Sequence, residues 1–148
     1  MKQIIMKKTL LFTYTAVLLA ASSAVAQDLR ASEVPANVKA SFMKKYPDAK
    51  KVNWEKENGN FEANWGGRSH EDSSTSFTPA GEFIEIVLAI PVSQLPKAVA
   101  VYVKEHYNGS AIKEAGKVTD AKGAISYEAE IKGKDLIFDE RGNFIKED

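Results

Sequence analysis

The chain contains one unit written twice. Val34, Pro35, Val38, Phe42 and Tyr46 return sixty-one residues later as Leu95, Pro96, Val99, Val103 and Tyr107. The same offset pairs Phe77 with Phe138, Gly81 with Gly142, Phe83 with Phe144 and Ile84 with Ile145. A repeat of this length is one supersecondary unit used twice, so any fold for the chain must hold two copies of it.

The unit can be read in order. Val34, Val38, Phe42 and Tyr46 recur every fourth residue, an apolar stripe on a helix from about Glu33 to Tyr46. Ser32 is placed to cap it and Pro35 to sit in its first turn. Pro47 ends it. Lys50 to Glu57 alternates, Asn58-Gly59 is a hairpin turn, and Asn60 to Trp65 returns. Val52, Trp54, Phe61, Ala63 and Trp65 then share one face. Ser73 to Thr78 is a third strand, readable as a solvated strand or as an edge open to a partner. Glu82 to Ile90 is a fourth, apolar on both sides, which suits a central or junction position.

The second unit repeats this with a helix from about Ser93 to Tyr107, stopped by Asn108-Gly109. Strands follow at Ile112 to Val118, Ala124 to Ile131, Lys134 to Asp139 and Asn143 to Lys146. Phe61 to Trp65 matches Tyr127 to Ile131 at an offset of sixty-six, so one turn is longer and the next loop shorter in the second copy. The fold class expected is α+β: a tandem repeat of a helix followed by a four-stranded antiparallel meander, with the helices packed on one sheet face. A unit of this size alone would be marginal, so the halves are expected to share an interface or join edge to edge.

The start of the chain reads differently. Lys7 and Lys8 precede an apolar run from Leu10 to Ala21, and Ala24-Val25-Ala26 fits a cleavage site. Residues 1–26 are read as a cleaved signal peptide, 27–91 as the first repeat and 92–148 as the second, together one compact domain. The chain has no cysteine, which excludes a lipid anchor on cysteine, disulfides and thiolate metal sites. The whole chain has 20 basic and 20 acidic residues; without Lys2, Lys7 and Lys8 the balance is 17 to 20, a net of −3. That gives no electrostatic case for nucleic acid, and no stable membrane insertion is expected after signal cleavage.

The signal segment, the two helix-plus-strand repeats, the Val-Pro and Leu-Pro helix starts, Tyr46-Pro-Asp-Ala-Lys50 leading into Val52-Asn-Trp54, and Gly-Glu-Phe or Gly-Asn-Phe before the last strands resemble the PepSY-like periplasmic proteins of Bacteroidetes. The resemblance spans nearly all of the chain after the signal. It implies a fold similar to that of the beta-lactamase inhibitory protein and a binding or inhibitory module. It carries no contact residues over.

Candidate chemistry is sparse. His70 lies in the polar stretch Arg68-Ser-His-Glu-Asp72, and a solvated loop explains it better than a metal contact. His106 closes the second helix, where a helix dipole favours imidazolium. No nucleophile elbow, zinc-protease pair or phosphate loop is present. No catalytic residue, metal or cofactor is therefore expected, and the chain is not read as an enzyme. The leading expectation is an exported binding protein of the periplasm (or secreted), an inhibitor or modulator whose partner is a protein or peptide in the cell envelope. The alternative is a module for glycan or small apolar ligands that uses sheet aromatics. The possible binding surface comprises Trp54, Phe61, Trp65, Arg68, His70 and Tyr127, although the apolar match of Phe61 and Trp65 to Tyr127 and Ile131 favours core duty.

Overall fold

The computed structural model describes residues 27–67 and 72–147. Residues 1–26, read as a signal peptide, lie outside that range. Helix α1 (Ala36–Lys45) precedes strands β2 (Asn53–Glu57), β3 (Asn60–Trp65), β4 (Ser73–Phe77) and β5 (Phe83–Ala89). Helix α2 (Lys97–His106) precedes β6 (Glu114–Asp120), β7 (Ile125–Ile131), β8 (Lys134–Asp139) and β9 (Phe144–Glu147). A short β1 (Gln27–Leu29) comes first. The nine strands form one antiparallel sheet in chain order. The two meanders join edge to edge through β5 and β6, with Val87 opposite Val118.

Both helical stripes fold as their spacing requires. Val34, Val38 and Phe42 are buried in the first core; Leu95, Val99 and Val103 are buried in the second, on the same face of the sheet. Each stripe covers its own strands. The first core gathers Phe42, Trp54, Phe61, Ala63 and Phe77. The second gathers Val103, Ala115, Ala129, Ile131, Leu136 and Phe138. Phe77 and Phe138, the repeat partners, are 1% and 0% exposed. Between the cores β5 is half-buried from Phe83 to Val87, and Leu88 is exposed.

Each meander returns to its helix through the same turn. The Thr78 hydroxyl accepts the Glu82 N–H, and Asp139 at the matching position accepts the Asn143 N–H. Gly81 (φ +82°) and Gly142 (φ +86°) follow, pressed on the helix starts. A Cβ at Gly142 would lie 2.9 Å from Pro96 Cβ, and one at Gly81 would lie 3.1 Å from the Asn37 carbonyl. Positive φ and close approach together require glycine there.

Gln27–Leu29 pairs with β2, because the outer edge of that strand still offers unpaired N–H and C=O groups. Two expectations and one alternative need correction. The first helix begins at Ala36 with Pro35 as its cap, and no side chain caps it. Ser32 instead lies in a turn in which Glu33 accepts the Arg30 N–H. The strand expected from Lys50 starts at Asn53, because Lys51 takes a left-handed φ of +56°. β4 is hydrogen-bonded on both sides, to β3 and β5, so it is no open edge.

Candidate functional site

The predicted surface residues do not come together as a surface. Trp54 and Phe61 are 6% and 7% exposed, beneath α1. Trp65 is half-buried and stands 5.2 Å from Phe42 and 4.9 Å from Tyr46, ring centre to ring centre. Tyr127 packs against the other core, under α2. Arg68 and His70 lie outside the described residues. The buried rings belong to the core because Phe42 meets them edge-on at 5.3 Å and 5.2 Å, a favoured aromatic geometry. A stacking platform for sugar would need them in solvent. His106 is exposed and stacks on Tyr102 at 4.2 Å.

The opposite face of the sheet carries no helix. Strand alternation sends the residues between the core positions to it: Glu55 and Glu57 from β2, Glu62 and Asn64 from β3, Ser74 and Ser76 from β4, Glu85 and Val87 from β5. β6 to β8 add Glu114, Gly116, Glu128, Glu130 and Asp135. One hollow of about 680 Å³ touches residues from β2 through β9.

Side-chain size shapes the hollow. Its floor, on the central strands, is Ser74, Ser76, Val87, Ala89 and Gly116. A Cβ on Gly116 would meet Val87 Cγ1 at 2.7 Å and Glu128 Oε2 at 3.3 Å, so glycine keeps the floor low. The lining holds eight carboxylates (Glu57, Glu62, Asp72, Glu85, Glu114, Glu128, Glu130, Asp135) and two lysines, Lys113 and Lys146. Glu62 accepts a hydrogen bond from the Ser74 hydroxyl. Carboxylates face carboxylates across strands: Glu114 lies opposite Glu130, and Glu130 opposite Asp135. Among the described residues no group of three or more histidine or carboxylate side chains is arranged to hold a metal ion. Among the same residues no helix is long and apolar enough to cross a membrane.

Sequence reasoning missed this face. The signal was present in the polar half of each alternating strand, but it appears only when seven strands are laid side by side.

The family model described as "Putative beta-lactamase-inhibitor-like, PepSY-like" matches residues 23–68 and 68–146. The chain belongs to this family. Solved structures with the same fold include a "putative periplasmic" protein from Bacteroides eggerthii, at TM-score 0.64 and 15% identity over 78% of this chain and 88% of that one. A DUF2874 family protein from Bacteroides uniformis superposes at TM-score 0.60 with 20% identity over 77% and 88%. A BLIP-like protein from Bacteroides fragilis does so at TM-score 0.55 with 19% identity over 76% and 83%. No curated protein matches the chain in sequence.

Proposed function

We infer that this PepSY-like chain is an exported, non-catalytic periplasmic protein that binds another protein of the cell envelope and modulates it. Membership of an inhibitor-like family supports that reading, as do relatives described as periplasmic and BLIP-like. The observation that carries it is the helix-free hollow: a space of about 680 Å³ on the sheet, with small side chains for a floor and polar ones for walls. Strand-borne side chains hold their positions without a ligand, so a docking partner orders little on the receptor side. Inhibition of an envelope peptidase is the specific form of modulation proposed.

Ser76 tests this. It lies on the floor between Glu62 and Glu85. Immobilised wild-type protein should retain an envelope protein from periplasmic extract, and Ser76→Trp, folded by circular dichroism, should not. Retention of nothing, or equal retention by both, would refute the reading.

A further inference from the structure

The charge of this molecule is segregated. After Ala26 the sequence holds 17 basic and 20 acidic residues. Among the described residues the hollow takes two basic and eight acidic side chains, a local net of −6. The other described residues hold 14 basic and 10 acidic side chains, a net of +4. An acidic protein with evenly scattered charge would show no such reversal.

The repeat shows that the fold does not demand this charge. Across β6, β7 and β8, Glu114, Glu130 and Asp135 stand opposite one another on the helix-free face. The matching positions across β2, β3 and β4 are Asn53, Asn64 and Ser74, in the same register. One copy builds the row from neutral hydrogen-bonding side chains and the other from three carboxylates. Like charges directly opposed destabilise a sheet. The first copy folds the same row without those charges, so the fold does not require them.

We propose that the hollow docks a positively charged segment of the partner protein, one bearing several lysine or arginine side chains. The proposal rests on the protein-binding reading above and names the chemistry of the same site. Complementary charge is what such a lining selects, and it speeds encounter as well as fixing register. Strands about 4.8 Å apart make the span from β2 to β8 roughly 29 Å, the reach of about nine extended residues. Nucleic acid and anionic lipid carry the wrong sign. A metal ion is disfavoured because the carboxylates are spread along the hollow, and none of the described ones form a coordinating group.

The experiment uses the purified protein and a fluorescent peptide of about a dozen alternating lysine and serine residues, followed by anisotropy. A glutamate–serine peptide is the control. One variant grafts the neutral row of the first copy onto the second: Glu114→Asn, Glu130→Asn and Asp135→Ser together. Another removes three acids that do not line the hollow: Glu82→Gln, Glu105→Gln and Glu140→Gln. The lysine peptide should bind wild type, weaken by about tenfold or more on the graft, and change by no more than about twofold on the control. Raising NaCl from about 50 mM to about 300 mM should weaken it further. If the graft does not fold, Glu62→Gln with Glu128→Gln serves in its place.

No binding of the lysine peptide, or equal loss in graft and control, overturns the proposal. So does calcium binding that the graft abolishes while the peptide is ignored. If an envelope protein is lost by Ser76→Trp but held by the graft at high salt, the basic-partner chemistry falls and the protein-binding reading stands.

Discussion

The two copies of the repeat share a backbone and differ in what they bury. Under α1 the core is aromatic: Phe42 touches Trp54, Trp65 and Phe77 at ring-centre distances of 5.3, 5.2 and 6.5 Å. Under α2 it is mostly aliphatic, with Val103, Ile131 and Leu136 around Phe138. The tyrosine that ends each stripe shows why position in the sheet matters. The Tyr107 hydroxyl donates to Glu147 at 2.8 Å, and Lys134 also pairs with that carboxylate. The Tyr46 hydroxyl is buried with no hydrogen-bond partner among the described residues. Thr75 nearby gives its own proton to the Glu85 carbonyl at 2.8 Å. Ile86 stands where the repeat would put Glu147. β9 is a sheet edge, where a carboxylate keeps its water; β5 is paired on both sides, where an unpaired charge would be costly. The same unit was adapted to edge and interior.

The sharpest way to break the equivalence is to empty both cores. Phe77→Ala and Phe138→Ala should each cost about 3–5 kcal/mol in urea unfolding. A difference of more than about 2 kcal/mol would mean that the copies do not bear equal weight.

The turn glycines come next. Gly142→Ala should cost about 2 kcal/mol or more, from left-handed backbone plus the contact with Pro96, and Gly81→Ala a similar amount. A thermal melt unchanged by either would deny that these turns lock onto the helices.

The tyrosines should part in sign. Tyr46→Phe removes a buried hydroxyl without a partner and should be neutral or stabilise by up to about 1 kcal/mol. Tyr107→Phe should destabilise. The Tyr107 phenol is pushed up to about 12, chiefly by its hydrogen bond to Glu147. A phenol held protonated in the folded chain contributes fully below the ordinary tyrosine value of 10.0 and loses that contribution as pH climbs toward 12. Wild type should therefore lose stability over that window more steeply than Tyr107→Phe. At the acid end, Lys134 first and Tyr107 second hold Glu147 below its ordinary 4.5, so that contribution fades as pH falls below 4.5. Tyrosinate absorbance and parallel melts read both.

The smallest effect concerns the charged row. Glu130→Asn, copying Asn64, should stabilise by about 0.2–1 kcal/mol at low salt and less at high salt. Destabilisation would mean that the carboxylates serve the fold.

Much of this architecture could be read in the residues. Val38 and Val99 are both 0% exposed because a four-residue stripe leaves a helix one way to lie on a sheet. Asn58-Gly59 folded as the dipeptide requires, with φ of +49° and +83°. β1 was illegible because Gln27-Asp-Leu29 has no alternation, and its pairing comes from what β2 lacks. The aromatic surface failed because periodicity puts Trp54 and Phe61 on the same face as Ala63 without saying which face the helix covers. The acidic hollow escaped notice because whole-chain charge cancels, and the −6 of its described lining appears only when alternate residues of separate strands are gathered.

Carboxyl footprinting of the complex with the retained envelope protein, read by mass spectrometry, tests the central claim most directly. Labelling of Glu128, Glu130 and Asp135 should fall on binding while Glu105 and Glu140 stay as reactive as before. Protection of Glu105 with the strand carboxylates still open would put the partner on the helices and contradict this account.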